Sequence, residues 1–477
     1  MGIPLKKNHI YRILFVIQYT GEGNQGMMSL SSVLKRNGYT VEFVDASYNK
    51  IKKKLKDNIP TILAYHVVFM FADYYMILNK RLKKEFNVFS VFGGPHPTVF
   101  PEMIQEEGVD GVCIGEGEFA MLELIDNISS GKPIRNIKNW WIKENGHIFK
   151  NPLRPLIEDL DNLPFPDRDL FAHQTLFDAE KFHIITGRGC TFNCSYCYDT
   201  YLNKLYNNKE SIIRRKSVQN VIGEIIQGLE RFPVKFIMFD DDGIFISSVE
   251  WIKEFSTQYK QHVNLPFFCN VRADLVDGEI VGCLKEAGCF SVAMGIETAD
   301  DIIREDFLNR KMTVEQIISA ARLIKQHAIR LRTTNMVGIP GGTLKNDLET
   351  IKLNIKCKAD GVGTYLFSTA YMRTCNPVTH DLKNMSDYKN LLTTASLASR
   401  DLVKNVRSLF SLTVEFPFLL YFLPILITLP LKRLYRLLDI CWGGYCAYFR
   451  LYPTGIKTFF RGIRKYLKII THWWVLP

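Results

Sequence analysis

Short apolar runs recur along the first part of the chain, each followed by a stretch with helical spacing of apolar positions. Residues 12–17, Arg-Ile-Leu-Phe-Val-Ile, predict a buried strand, and the next apolar periodicity predicts a helix from Met28 to Arg36 that Gly38 stops. Further strands are expected at 41–44, 61–64, 88–92 and 111–114. Such strands alternating with helices predict an α/β unit with a parallel, doubly wound, Rossmann-like sheet. Ligands of these sheets sit at the carboxyl ends of the strands. The loops there are Gly93-Gly94-Pro95-His96-Pro97-Thr98 and Gly115-Glu116-Gly117-Glu118, glycine-rich enough to let a backbone approach a ligand closely.

From 131 to 180 the chain is rich in Asn, Asp and Pro, with little sustained periodicity, and reads as a connector. A second alternating series then begins at His183, with strands expected at 183–186, 235–239, 267–270, 291–295, 330–337 and 364–369. Helical patterns at 218–229 and 314–327 separate them. Six strand–helix units predict a partial (β/α)6 TIM barrel whose chemistry sits on loops at the carboxyl ends of its strands. After Cys375 the alternation stops and a mostly helical, apolar and basic region follows. The expected division is 1–130, 131–180, 181–375 and 376–477.

Composition sharpens this picture at two points. The formal net charge is +11, and from Leu431 onward nine Lys or Arg face one acid, Asp439. Eleven cysteines in 477 residues are too sparse for a disulfide scaffold, and the tight group among them points to metal or redox chemistry in a reducing compartment. The apolar run 13–17 is too short for a secretory signal, and Lys6 occupies the place where a myristoylation signal wants Ser or Thr. A cytoplasmic protein is the expectation.

The tight group is Cys190-Thr-Phe-Asn-Cys194-Ser-Tyr-Cys197, directly after the first strand of the second series. Three thiolates in one loop can converge on a cubane cluster and leave its fourth iron without a protein ligand. Zinc with a fourth ligand from elsewhere is the alternative. The spacing, with aromatic Tyr196 before the last cysteine, resembles the radical S-adenosylmethionine (SAM) superfamily signature. The later strand ends fit the same family in order and spacing. They are Asp240-Asp241-Asp242, Cys269-Asn270-Val271-Arg272, Gly295-Ile296-Glu297 followed by Asn309-Arg310, and Gly338-Ile339-Pro340-Gly341-Gly342. The resemblance implies a [4Fe-4S] cluster on Cys190, Cys194 and Cys197 whose free iron chelates SAM. It also implies SAM contacts from Tyr196, Asp240, Asp241, Glu297, Arg310 and the loop carrying Gly338 and Gly341. For Asp240 and Asp241, helix capping after a strand is the competing role.

The first unit looks like the N-terminal cobalamin-binding-type domain of the same family. By that resemblance Gly93, Gly94, His96, Gly115 and Glu116 would line a cobalamin site. One departure matters: the Asp-x-His-x-x-Gly signature is absent, and Gln18-Tyr-Thr-Gly-Glu-Gly-Asn24 holds no histidine. The implied activity is cobalamin-dependent methylation of an unactivated carbon, with oxidative cyclisation or carbon–carbon coupling on the same scaffold as the alternative. A non-catalytic cobalamin or zinc module is the reading from another class. An electron donor such as flavodoxin or ferredoxin is implied as partner.

The tail interleaves aromatics with Lys and Arg after the apolar run 416–431, which Pro417, Pro424 and Pro430 interrupt. A spanning helix needs about 20 apolar residues, so peripheral contact with a membrane is expected instead, with an interfacial helix at 457–470. Nucleic acid is the competing partner of a basic aromatic surface, and the apolar run argues for lipid. A helical cap packed on the barrel is the other reading. A hydrophobic small-molecule substrate would suit a membrane-facing enzyme.

Overall fold

The computed structural model describes residues 11–18, 24–172, 180–207, 212–241, 248–367 and 397–452. Asp242, Cys375 and the expected helix at 457–470 lie outside them. Contacts divide the chain into two compact units at residue 177.

In the first unit the apolar runs become strands β1 (Arg12–Ile17), β2 (Thr40–Asp45), β3 (Thr61–His66), β4 (Phe89–Gly93) and β5 (Gly111–Cys113). They pair in parallel in the order β2-β1-β3-β4-β5. β1 is buried along nearly all its length because helices cover both faces, which is why it reads as a continuous apolar run. The helices are α1 (Gln25–Arg36), α2 (Tyr48–Leu55), α3 (Ala72–Lys83), α4 (Pro95–Val99) and α5 (Glu118–Ser130), with a short α6 (Asp169–Ala172) later. Asn24 caps α1 by accepting from the Met27 N–H.

The segment read as connector adds two strands. β6 (Trp140–Glu144) pairs antiparallel with β5, and β7 (His147–Lys150) pairs antiparallel with β6, extending the sheet to seven. Asn145 and Gly146 turn between them with φ of 48° and 80°. Both are left-handed, as a two-residue type I′ hairpin requires.

The second unit holds six parallel strands in sequence order: β8 (Lys181–Ile184), β11 (Phe236–Phe239), β12 (Phe267–Val271), β13 (Cys289–Glu297), β14 (Arg330–Val337) and β15 (Gly361–Leu366). A separate antiparallel pair, β9 (Gly187–Arg188) and β10 (Arg214–Arg215), lies between β8 and β11 in the chain. The last strand begins three residues before the expected one, because Gly361-Val-Gly363 carries no apolar signal yet already pairs with β14. Helices α7 (Tyr198–Leu205), α8 (Val218–Arg231), α9 (Val249–His262), α10 (Gly278–Ala287), α11 (Val314–Gln326) and α12 (Leu344–Lys356) connect the strands. Side chains from α8 to α12 bury one face of the sheet.

The opposite, inner face alternates cleanly. On β14 the outward Leu331, Thr333, Asn335 and Val337 are buried, while Arg332, Thr334 and Met336 remain partly open. Three C-terminal helices follow: α13 (Leu397–Glu415), α14 (Leu419–Leu426) and α15 (Lys432–Tyr445). α13 packs on the β14–β15 side through Val406, Leu409 and Phe410, against Val337 and Ile351. Beyond α15, Leu451 and Tyr452 enter the inner face and pack against Phe236, Met238, Phe268 and Ala293. Ser291 Oγ donates to the Leu451 carbonyl at 2.8 Å, and Arg332 reaches the Tyr452 hydroxyl at 3.1 Å. These contacts lay a floor across the amino ends of the strands.

Candidate active site

The cysteine loop is held by its flanks. β9 runs into Gly189, which adopts φ of 88°, and a Cβ there would stand 2.1 Å from the Ile212 carbonyl oxygen. Only glycine fits. Asn203 Nδ2 donates to the Cys190 carbonyl at 2.8 Å and Thr200 Oγ1 to the Cys194 carbonyl at 2.7 Å, tying the loop to α7. Ser195 bonds Phe307 and Leu308 through Oγ and N, so the loop is also pinned to the segment after β13. Cys197 is the residue before the first turn of α7, where helix dipoles favour a thiolate.

Burial works against that charge. It pushes the Cys190 thiol up to about 11 and raises Cys197 as well; Cys190 also feels the charge of Cys194, and Cys197 that of both other thiols. Buried thiols this close need a cationic partner to ionise together. Arg272 supplies part of it: its Nη1 lies 3.5 Å from Cys194 Sγ, and its guanidinium stacks 3.7 Å over the Phe192 ring. Among the described residues no three His, Cys, Asp or Glu side chains close around a single ion. In a cubane each sulfur meets a different iron, so its ligands stand apart.

Beside the loop, Tyr196 turns to the end of β13. Arg310 Nη1 donates to the Tyr196 hydroxyl at 3.0 Å, Nη2 donates to the Gly295 carbonyl at 2.9 Å, and Glu297 Oε1 is 3.8 Å from Nη1. Glu297 holds φ of 62°, a strained setting for a residue with a side chain. A Cβ on Gly295 would meet Glu297 Oε1 at 2.5 Å and Arg310 Nη2 at 3.0 Å. Burial raises the Glu297 carboxyl, while the Arg310 charge pulls it back. Arg310 Nε is buried with no hydrogen-bond partner among the described residues. Arg304, wholly buried, holds the intervening loop through the Thr298 and Met312 carbonyls, both at 2.8 Å. No periodicity or spacing marks Arg304, and sequence reasoning passed over it.

The other expected SAM contacts are less closely gathered. Asp240 Oδ2 lies 2.6 Å from His183 Nδ1. Asp241 turns its Oδ1 onto the Thr186 N–H, the Thr186 hydroxyl and the Gly187 N–H, at 2.7 to 2.8 Å, bracing the turn into β9. Gly338 and Gly341 both have positive φ, 71° and 81°. Gly338 faces Val403 of α13, whose Cγ1 would be 2.8 Å from a Cβ, whereas Gly341 opens onto free space.

Burial lifts the Asp241 carboxyl to about 6, against about 3.9 when unfolded. The folded state therefore keeps a proton that the unfolded chain releases between those values. Stability falls as pH rises through that window and stays lower above it. Asp241→Asn keeps the Oδ1 acceptor and is expected to gain on the parent by up to about 3 kcal/mol between pH ~4 and ~7. Urea midpoints at the two pH values check it.

In the first unit, Gly93 ends β4 and Gly94 follows it, beside His66, which ends β3. Gly94 has φ of 102°, and a Cβ there would stand 3.1 Å from the His66 ring. The Asn24 amide lies 3.3 Å from His66 Nδ1. His96 is buried against Phe100, ring centroids 5.0 Å apart, with no partner for its Nδ1. Burial pushes both histidines down to about 4, so both are neutral near pH 7. The Gly115 N–H donates to Thr98 Oγ1 at 3.1 Å. Glu116 is taken up within the unit, its carboxylate by the Ile157 N–H at 2.8 Å and its carbonyl by Asn139. Asn24, which caps α1 and stands beside His66, was not singled out from the sequence, although a helix cap after β1 is a readable signal.

Residues 184–353 match the radical SAM superfamily model, and 19–125 match the B12 binding domain. A protein of Pyrococcus horikoshii, named as an uncharacterized methyltransferase, is 30% identical over 360 residues, covering 73% of this chain and 76% of its own. The chain belongs to the radical SAM superfamily. It is a radical SAM enzyme with a B12 binding domain, and the two domains bring a [4Fe-4S] cluster, SAM and cobalamin as cofactors. The anaerobic magnesium-protoporphyrin IX monomethyl ester cyclase of Rubrivivax gelatinosus is 27% identical over 68% of this chain and 60% of that one. The fold is that of the radical SAM methyltransferase TsrM from Kitasatospora setae, with TM-score 0.62 and 15% identity over 76% of this chain and 75% of that one. The cobalamin-dependent radical enzyme OxsB is also similar, with TM-score 0.61 and 18% identity over 80% of this chain and 56% of that one.

Proposed function

We propose that this enzyme methylates an unactivated carbon of a largely apolar substrate in a cobalamin-dependent reaction. The observation that carries the reading is the joining of the cysteine loop to the Tyr196–Arg310–Glu297 group at one strand end of the half-barrel, in a chain that also has a B12 binding domain. Cys190, Cys194 and Cys197 would hold the cluster. Glu297 and Arg310, with the unpartnered Arg310 Nε, would hold SAM, and the Gly338–Gly341 loop would lie along it. The backbone at Gly93, Gly94 and Gly115 would hold cobalamin, with the neutral His66 beneath the Gly94 turn.

When bound, the cluster and SAM supply a radical able to take hydrogen from carbon, and cobalamin supplies a methyl group. The chain's own residues prepare the place. Arg272 offsets charge at Cys194, and Arg304 fixes the loop that aims Arg310. Above the Leu451–Tyr452 floor, Thr334 and Met336 of β14 remain partly open to a substrate, with the His183–Asp240 pair as a polar feature. Oxidative cyclisation without methyl transfer is the second reading, favoured by the similarity to the Rubrivivax cyclase.

The test is anaerobic. Enzyme reconstituted with iron, sulfide and cobalamin is reduced and given SAM with a deuterated methyl group, together with a lipid extract. Formation of 5'-deoxyadenosine together with a product heavier by one labelled methyl supports methylation. Cleavage of SAM with a product of lower hydrogen count and no added methyl supports cyclisation. Protein that binds zinc and leaves SAM intact would sink both readings.

A further inference from the structure

The C-terminal helices turn one apolar side inward and another outward. On the inward side Leu423, Ile427 and Tyr435 are buried against α13. The turn between α14 and α15 is pinned there: Asn405 Nδ2 donates to the Ile427 carbonyl and the Tyr435 hydroxyl to the Leu426 carbonyl, each at 2.7 Å. The outward side is equally apolar. Phe418 just before α14, Tyr421, Phe422 and Ile425 on α14, and Leu434 and Leu437 on α15, are all exposed, Tyr421 to 86% and Ile425 to 65%. Phe418, Tyr421, Phe422 and Ile425 recur at helical spacing on one face, and an exposed apolar row of this kind marks an interaction site.

Charge identifies the partner. From 416 to 438 there is no acid, while Lys432, Arg433 and Arg436 stand among the apolar residues. Over 397–452 the chain has seven basic and three acidic residues. Each acid is already in an ion pair: Asp401 with Lys432, Asp439 with Arg407, and Glu415 with Arg450. Residues 453–477 add five basic residues and no acid. That segment, or a second copy of the chain, would bring like charge to like. A surface of anionic phospholipid brings the opposite charge, at about 1 kcal/mol per basic residue, along with an apolar phase for the exposed side chains.

The helices are also the wrong length to do more. α14 has eight residues, with Pro424 inside it. At ~1.5 Å per residue it spans about 12 Å, against an apolar bilayer core of about 30 Å. Among the described residues no helix is long and apolar enough to cross a membrane. A short amphipathic hairpin lying at the headgroup level fits these dimensions. We propose that residues 416–438 are an interfacial anchor that seats the enzyme on a bilayer containing anionic phospholipid. The anchor is independent of the reaction assigned above.

The test uses full-length reconstituted enzyme sedimented with vesicles of phosphatidylcholine, alone or mixed with phosphatidylglycerol. The parent is expected to sediment with the mixed vesicles and to be released in part by salt. Tyr421→Ser/Ile425→Ser is expected to lower the bound fraction at least tenfold, about what losing the burial of two large apolar side chains predicts. Arg436→Glu should weaken binding to mixed vesicles alone. SAM cleavage in solution by both variants, at the parent's rate, shows that they fold. Parent enzyme that stays in the supernatant with both vesicle types overturns the proposal. So does a parent dimer that the serine variant converts to monomer without any change at vesicles, since the surface would then be a contact between copies.

Discussion

Cys194→Ala is expected to reduce anaerobic 5'-deoxyadenosine formation to the background of cluster-free protein. Cys194 is the most deeply buried of the three cysteines and the one that Arg272 touches. Removing its sulfur leaves two ligands for a cluster that needs three, and leaves the guanidinium buried with one contact fewer. Iron content and the cluster's visible absorption should fall together with activity. The neighbour gives a graded version. Arg272→Leu keeps the bulk under Phe192 and removes the charge, and an outer-sphere loss of this sort costs about 10–100-fold in metal affinity or activity. If Cys194→Ala retained full iron and SAM cleavage, the assignment of the loop would be wrong.

Gly189→Ala should be the most damaging single methyl addition near the site. A left-handed backbone costs an alanine about 1–2 kcal/mol by itself. The new Cβ would also overlap the Ile212 carbonyl at 2.1 Å and crowd its Cγ2 at 2.9 Å. Those atoms are backbone, or fixed close to it, so the β9–β10 pair must separate, and with it the approach to Cys190. Thermal unfolding of the second unit is expected at lower temperature, with iron uptake lost. Gly282→Ala is the control. It lies inside α10 with nothing within 4 Å of its added Cβ, and it should stabilise by about 0.4–1 kcal/mol.

The parallel strands were legible because burial on both faces leaves an uninterrupted apolar run, as in β1, β3 and β11. The hairpin of β6 and β7 was overlooked amid Asn, Asp and Pro, although Asn145-Gly146 is the strongest short hairpin signal. Trp140 is the buried anchor of that hairpin, its Nε1 donating to the Ala120 carbonyl at 2.9 Å. The cysteines were legible because three ligands share one loop. Tyr196, Glu297 and Arg310 were legible through the family resemblance, but the contacts among these neighbours were not. Arg272 meets Cys194 across 78 positions and Arg310 meets Tyr196 across 114, and only the fold creates those distances. Asp240 and Asp241 show the limit of local reading. Adjacent carboxylates at a strand end look alike, but one pairs with a histidine and the other braces a backbone turn.

The floor beneath the half-barrel has a consequence for how the enzyme comes into being. Ser291 closes onto Leu451 across 160 positions of the chain, so the inner face gains its base only from residues made long after its strands. Contacts so distant in sequence form late, because the intervening loop must first be closed. A nascent chain paused at α12 would already hold the cysteine loop, with Phe236, Met238, Phe268 and Ala293 still uncovered by Leu451 and Tyr452. On the ribosome, then, the order of emergence delays the closing of the inner face until Leu451 and Tyr452 have been made.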